Sequence, residues 1–562
     1  MKQAIYVILI IVVFEIFSSQ CANPITPTGG PKDTIPPTLV YSNPANEEVN
    51  FQNQEIVLQF NEYINADKLK QNLIITPFFD AKYKAIIKKT RLILRFEERF
   101  LDSTTYTLNF ANGVTDITER TPPDNLSLSF SSGTYIDSLR VIGSIKSLLT
   151  GLIPKEKFNI SLYKIHDSLD FVTQKPTYFT KSLDNGAFEL RNIKTGKYLL
   201  IAFLDENNNL QLDPTSEAHA LYADTLQPVF SPDSIHLEFI NVDASKLKFI
   251  SARPTAKYFE IRYSKPIKTF TVEPFQPAKI VSDNQVIRIY QDSLNLFDSL
   301  QIIVTAVDTV MNSSTDTLFA KFIESSRAAE ELKINHTLKS SSSNTTITST
   351  SNTPTQVNTD LFKFRVDTIN SFPLPIDSLN HNYDYSRYTF YSSFNQSLYN
   401  STIDSLIKHY FPDTTNIDSI ELQQLNYLNA ISKKNYQIDM LKGAFISVVN
   451  DTIKSETLTS KFYNPADYGT ITVNIRTSFD RYEVRLVNSK QQTIAKNNNC
   501  IKCVFNGLPP AEYSVRIFID QNNDGQWSPG NILKLLKPEP IINFQEFTDL
   551  RANWAIELNY EF

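Results

Sequence analysis

Two distant segments of the chain carry one spacing. Ile193 is followed by Tyr198 five residues on and by Asp205 seven further, and Leu508, Tyr513 and Asp520 repeat those intervals. Self-similarity of this kind marks a supersecondary unit that is used twice. In each copy the tyrosine opens a short, largely apolar run, and a cluster of Asp and Asn closes it. A run that short, bounded by turn residues, suits a buried strand and not a helix. The chain is therefore read as modular and all-β.

Composition agrees. There are 26 Tyr and 38 Phe but only 13 Gly and 3 Met, a balance that favours strands. With 562 residues there is room for several cores of ordinary domain size. The net charge of −6 comes without any basic block, which excludes nucleic acid as a partner.

Ile56-Val57-Leu58-Gln59-Phe60-Asn61-Glu62-Tyr63-Ile64 reads as a strand turning a corner, and strand signals follow at Leu92 to Phe96, Tyr106 to Phe110 and Leu126 to Phe130. This pattern resembles SbsA-type Ig-like domains, which implies a β-sandwich over 36–132. Phe259 to Ile267 repeats it, with Ile261 in the place of Leu58 and Tyr263 in the place of Phe60, so 246–323 is read as a divergent second Ig-like unit. The segments around Tyr198 and Tyr513 resemble the closing half of transthyretin-like, carboxypeptidase-regulatory β-sandwiches. That resemblance implies accessory modules without catalytic residues at 137–245 and 466–562.

Residues 338–360 are nearly all Ser, Thr and Asn and are expected to be a disordered linker, because such a stretch buries too little apolar surface to offset its ordering entropy. Residues 361–460 are expected to be a mixed β region with one short helical stretch, Ile417 to Lys433. The fold class is thus a string of Ig-like and transthyretin-like sandwiches.

The N-terminus is read as an export signal over 1–20. Lys2 precedes the apolar run Ala4 to Phe14, which is too short to span a bilayer. Phe17-Ser18-Ser19-Gln20 then leads into Cys21, the only cysteine before Cys500. The arrangement resembles a bacterial lipobox, which implies a lipid on Cys21. Residues 21–35 are rich in Pro and Gly and suit a tether. The whole opening resembles a group of Bacteroidetes lipoproteins whose first folded unit is the SbsA-type domain. The resemblance implies an outer membrane lipoprotein.

Candidate chemistry is sparse. In Asp205 to Asp213 the oxygen-bearing side chains of Asp205, Asn207, Asn209 and Asp213 alternate, and Asp520, Asn522 and Asp524 do the same just before Gly525. Alternating oxygens around a tight turn suit calcium, although neither loop has the acidic twelfth residue and Leu210 stands where the second loop has Gly525. Asp and Asn also favour hairpins for conformational reasons alone. Calcium is the one candidate cofactor, and none is required.

Cys500-Ile501-Lys502-Cys503 lies between strand signals, with no second pair to complete a zinc site. A disulfide formed in an oxidising compartment is the leading reading, with free thiols next. The six histidines show no ligand spacing, and no nucleophile elbow or phosphate loop appears, so no enzyme is expected.

One signal stands out statistically. Asp followed by Ser or Thr and then by Ala, Ile, Leu, Val, Met or Thr occurs at 16 of 34 aspartates, several-fold above composition. It resembles the acceptor motif of Bacteroidetes O-glycosylation, which implies acceptors such as Ser138, Ser234, Ser299, Ser378 and Ser419. Asp-Ser and Asp-Thr also start turns. The C-terminal alternation from Trp554 to Phe562 is read as a final sandwich strand, since a membrane barrel needs at least about eight such strands.

The reading is a non-catalytic envelope lipoprotein acting as a structural, adhesion or assembly scaffold, bound to the membrane through its lipid and to envelope proteins or polysaccharide. A polysaccharide-binding lipoprotein is the alternative, and an enzyme with a site not visible in sequence is the second.

Overall fold

The computed structural model describes residues 34–230, 233–255, 258–274, 280–290, 299–322, 331–341, 344–365, 371–373, 381–384, 389–395, 435–447, 450–461 and 465–562. The chain is a series of small β-sandwiches. In the first, one sheet runs in the order Leu39–Asn43, Glu55–Phe60, Arg91–Phe96, Tyr83–Lys88, and faces Ile74–Thr76, Thr105–Asn109, Ser127–Ser131. Successive side chains of a strand point to opposite faces, so Ile56, Leu58 and Phe60 enter the core while their neighbours stay partly exposed.

The same order recurs further along. Phe249–Thr255, Tyr258–Tyr263, Val286–Tyr290 and Ile280–Asp283 form one sheet, and Ile267–Glu273, Leu300–Asp308 and Ser313–Ala320 the other. Ile261 and Tyr263 are buried at the strand positions that Leu58 and Phe60 hold in the first sandwich.

The two repeated modules share one strand order, with an added short strand, Thr548–Leu550, beside Ala511–Ile519 in the second. In one, Ala187–Ile193, Leu139–Ser147 and Ser234–Phe239 pack on Tyr178–Lys181, Asn159–Lys164, Tyr198–Phe203 and His219–Leu226. In the other, Lys502–Leu508, Gly469–Arg476 and Ala555–Glu561 pack on Thr493–Asn498, Tyr482–Asn488, Ala511–Ile519 and Ile541–Asn543. In both, the last strand runs parallel to the first. The alternating C-terminus therefore closes a sandwich. The repeated tyrosine also has a physical reason. Tyr198 donates its hydroxyl to the Lys194 carbonyl and Tyr513 to the Pro509 carbonyl, each at 2.8 Å. A buried phenol needs such a partner, and a carbonyl four residues back supplies it in both modules.

Residues 338–360 differ from expectation. Ile334–Ser341 pairs with Asn344–Ser351, which pairs in turn with Thr389–Asn395. Ile347 is fully buried, and Thr345, Ser349 and Ser351 are buried beside it. Threonine is β-branched and fits a pleated surface, and the inward hydroxyls are bonded: Thr345 to the Tyr436 hydroxyl at 2.8 Å, and Thr355 to Ser351 at 2.9 Å. Counting only apolar area missed this. The segment belongs to a sandwich whose core includes Phe362, Phe390, Ile438 and Phe445. The helix expected at 417–433 lies outside the described residues, among which the α-helix is the four-residue Leu69–Asn72.

The string folds back on itself. Ile532 of the last module is buried among Tyr163, Leu199, Ile201, Phe203 and Leu212 of its earlier counterpart. Phe518 and Ile541 pack on Leu148 and Ile240 nearby. Asn543 donates to the Leu148 carbonyl at 2.9 Å and Gln545 to the Gly151 carbonyl at 2.8 Å.

A buried polar chain also joins the last module to the second Ig-like one. The Asn531 amide donates to Asn312 Oδ1 at 2.9 Å, and the Asn312 amide donates to Asp308 at 3.0 Å and to the Ser245 carbonyl at 2.9 Å. Asp308, 1% exposed, meets Lys265, 5% exposed, at 2.7 Å. Lys265 donates further to the Asp243 carbonyl at 3.0 Å. Three modules thus meet at one point.

Candidate functional site

The two Asp/Asn loops have the same internal bonding. Asp205 accepts the amides of Asn209 and Leu210, each at 3.0 Å, and Asp520 accepts those of Asp524 at 3.1 Å and Gly525 at 2.8 Å. Asn207 and Asn522 accept the same fifth-position amide, at 3.0 and 2.9 Å. Asn209 and Asp524 then accept the amides of Gln211 and Gln526. Asp213 turns instead to Thr215 and Ser216.

The backbone at the sixth position is left-handed in both loops. Leu210 has φ of 58° and Gly525 has φ of 95°. Both lie in the left-handed region that favours glycine, so the first loop holds a leucine in the conformation that glycine takes in the second.

Each loop is stapled by a buried glutamate that sequence spacing did not reveal. Glu217, 1% exposed, accepts the amides of Glu206 and Asp213 at 3.2 and 2.8 Å. Glu539, 8% exposed, accepts Gln521 and Asn522 on one oxygen and Ser528 on the other, at 2.7 to 3.0 Å. The two glutamates sit at different distances along the chain from the loop aspartate, which hides their equivalence. Burial pushes the Glu217 carboxyl above its ordinary range, and the charges of Asp205 and Asp213 add to this against the pull of the two amides.

These oxygens are engaged by amides, and among the described residues no group of three or more His, Cys, Asp or Glu side chains is placed to hold a metal ion.

The remaining sites are dispersed. Cys500 and Cys503 are joined as a disulfide with their Cα atoms 5.2 Å apart, at the start of the strand Lys502–Leu508. Ser138, Ser234 and Ser299 are exposed, each at or next to the start of a strand, while Ser378, Ser419 and Cys21 lie outside the described residues. His219 and His336 are in different sandwiches. Burial holds both imidazoles below their ordinary range, His336 at about 4. No described residues converge as an active site would. Nor is any described helix long and apolar enough to cross a membrane.

Residues 33–132 match the family model of a bacterial Ig-like domain. No curated protein matches the chain. Among solved structures, the surface layer protein SbsC, domains 1–6, shares 10% identity over 92% of this chain and 68% of its own, with a TM-score of 0.14. The human desmocollin-1 ectodomain shares 11% over 77% and 81%, with a TM-score of 0.12. BcpA, the major pilin subunit of Bacillus cereus, shares 9% over 75% and 99%, with a TM-score of 0.12. Overlaps this slight carry nothing about role. The molecule is a multi-domain β-sandwich protein that opens with a bacterial Ig-like domain.

Proposed function

We propose that the protein is a non-catalytic lipoprotein of the cell envelope, held to the outer membrane by a lipid on Cys21 and acting as a structural, adhesion or assembly scaffold. The observation that carries this reading is the buried junction of Asn531, Asn312, Asp308 and Lys265, which ties the last module to the second Ig-like one. Removing one partner from such a network strands the others at a cost of about 1 to 3 kcal/mol each. A body braced in this way transmits load and holds its surfaces in fixed relation, as a scaffold must. The short apolar run before Cys21 and the Pro/Gly tether after it support the anchor. The match over 33–132 supports an Ig-like first unit, on which the SbsA-type reading of the opening builds. Envelope proteins or polysaccharide are the partners such a surface would serve.

Two modifications of the scaffold belong to the same proposal. The exposed Ser138, Ser234 and Ser299 offer hydroxyls that a glycosyltransferase could reach. Calcium would add to the staple already made by Glu539, because Asp520, Asn522 and Asp524 alternate around Gly525.

Replacing Cys21 with Ser should move the protein from the membrane to the soluble fraction of its native host, and unchanged membrane association would contradict the anchor. Intact mass from that host should exceed the sum of polypeptide and lipid, with modified peptides at the Asp-Ser and Asp-Thr sites. A mass accounted for by polypeptide and lipid would reduce the motif to turn chemistry. Calorimetric titration of the full chain with calcium should show saturable binding that Asp524→Ala weakens. Bound at about a hundredfold excess over Kd, the ion would stabilise its module by roughly 2.7 kcal/mol. Absence of binding in the parent would leave these residues as hairpin formers only.

A further inference from the structure

The outer face of the last module holds a cleft of about 580 Å³ beside the Asp520 loop, with Lys268 of the second Ig-like module at its edge. Its size falls in the range of small-molecule sites, about 300 to 1,000 Å³. The strands Tyr482–Asn488 and Ala511–Ile519 form its floor. Their register sets Arg485 directly opposite Arg516 and Glu483 opposite Phe518.

Like charges facing each other across a strand pair are destabilising, so this arrangement calls for a compensating anion. The described residues supply too little. Glu483 bonds both Arg485 and Lys496, the latter at 2.8 Å, so its single charge already faces two cations. Asp520, the other acid lining the cleft, is occupied by the Asp524 and Gly525 amides. Arg516 stands beside the cleft and not in its lining; it is 8% exposed and makes no ion pair with a described residue. Lys268 likewise has none, and among the described residues Arg481 donates only to the Asn523 carbonyl, at 3.1 Å. The cleft thus carries positive charge that the described residues leave unbalanced. Burial, and after it the Arg485 charge, draw the Arg516 guanidinium below its ordinary value.

Aromatic and amide groups complete the lining. Trp527 is edge-on to Phe518, with centroids 5.4 Å apart, and its indole N–H donates to the Glu539 carbonyl at 2.9 Å, so the ring is fixed in place. The Arg485 guanidinium lies 3.6 Å from the centre of the Phe518 ring. The amides of Asn498 and Gln526 stand exposed at the rim. A fixed aromatic plane receives a pyranose face, amides bond hydroxyls, and guanidinium and ammonium groups bind carboxylates.

We propose that this cleft between Lys268, Arg481, Arg485 and Trp527 binds a carboxylate-bearing saccharide. The proposal goes beyond the scaffold reading and does not rest on it, since soluble Cys21→Ser protein would bind equally well. An acidic peptide would satisfy the charges but leaves the fixed indole and the rim amides without a role.

The test uses the full chain in a Trp554→Phe background, which leaves Trp527 as the only indole. Titration with trigalacturonate should give a saturable change in fluorescence that weakens as salt rises. The double variant Lys268→Gln, Arg481→Gln should lower the affinity at least tenfold without shifting the melting temperature. Maltotriose, which is neutral, should leave the emission unchanged. Failure to bind trigalacturonate would overturn the proposal, as would binding that the double variant leaves intact. Equal affinity for pentaglutamate would overturn the saccharide assignment and make the cleft an acidic-peptide site.

Discussion

Lys265 and Asp308 form an ion pair inside the protein, and the desolvation cost of keeping it there shapes the rest of the molecule. Removing two charges from water costs several kcal/mol per ion unless the remaining valences are met. Here they are met from three directions. Asp243 and Ser245, at the end of the first repeated module, accept from Lys265, Asn312 of the second Ig-like module donates to Asp308, and Asn531 of the last module reaches the pair through Asn312. Without the last module, Asn312 would lose a buried partner. The junction therefore favours one mutual arrangement of modules whose individual cores are separate.

The apolar contacts of the same interface act less selectively. Ile532 against Leu199 and Ile201, and Phe518 against Leu148, stabilise by removing area from water, a term that is non-directional. Hydrogen bonds to particular carbonyls, such as Asn543 to Leu148 and Gln545 to Gly151, fix the register in which those surfaces meet. This division of labour also explains the loops. Glu217 and Glu539 hold the turns that follow the central strands Tyr198–Phe203 and Ala511–Ile519, and the last module docks through residues around the second of these turns.

Much of this was legible in sequence where a local rule applies. The run from Ile56 to Ile64 reads as a strand and is one over Glu55–Phe60, and the interval from Tyr198 to Asp205 recurs because a phenol, a buried strand and a turn recur. What escaped were contacts with no local signature. Asn531 and Asn312 are ordinary polar residues until the fold brings them to 2.9 Å. Glu539 serves the same purpose as Glu217 but sits farther from its loop, so no fixed spacing betrays it. The Ser/Thr stretch was misjudged because its hydroxyls pair inside a sheet, as Thr345 does with Tyr436. Arg485 and Arg516 look like unremarkable strand residues until register sets them face to face.

The closure of the chain onto itself is open to direct measurement. Leu152 and Glu546 are exposed on either side of the contact between Gly151 and Gln545. Spin labels at these two positions in the full-length protein should give a single short and narrow distance distribution by pulsed dipolar spectroscopy. A broad distribution centred at long distance would mean that the modules hang as a flexible string, and would contradict the junction as the organising contact.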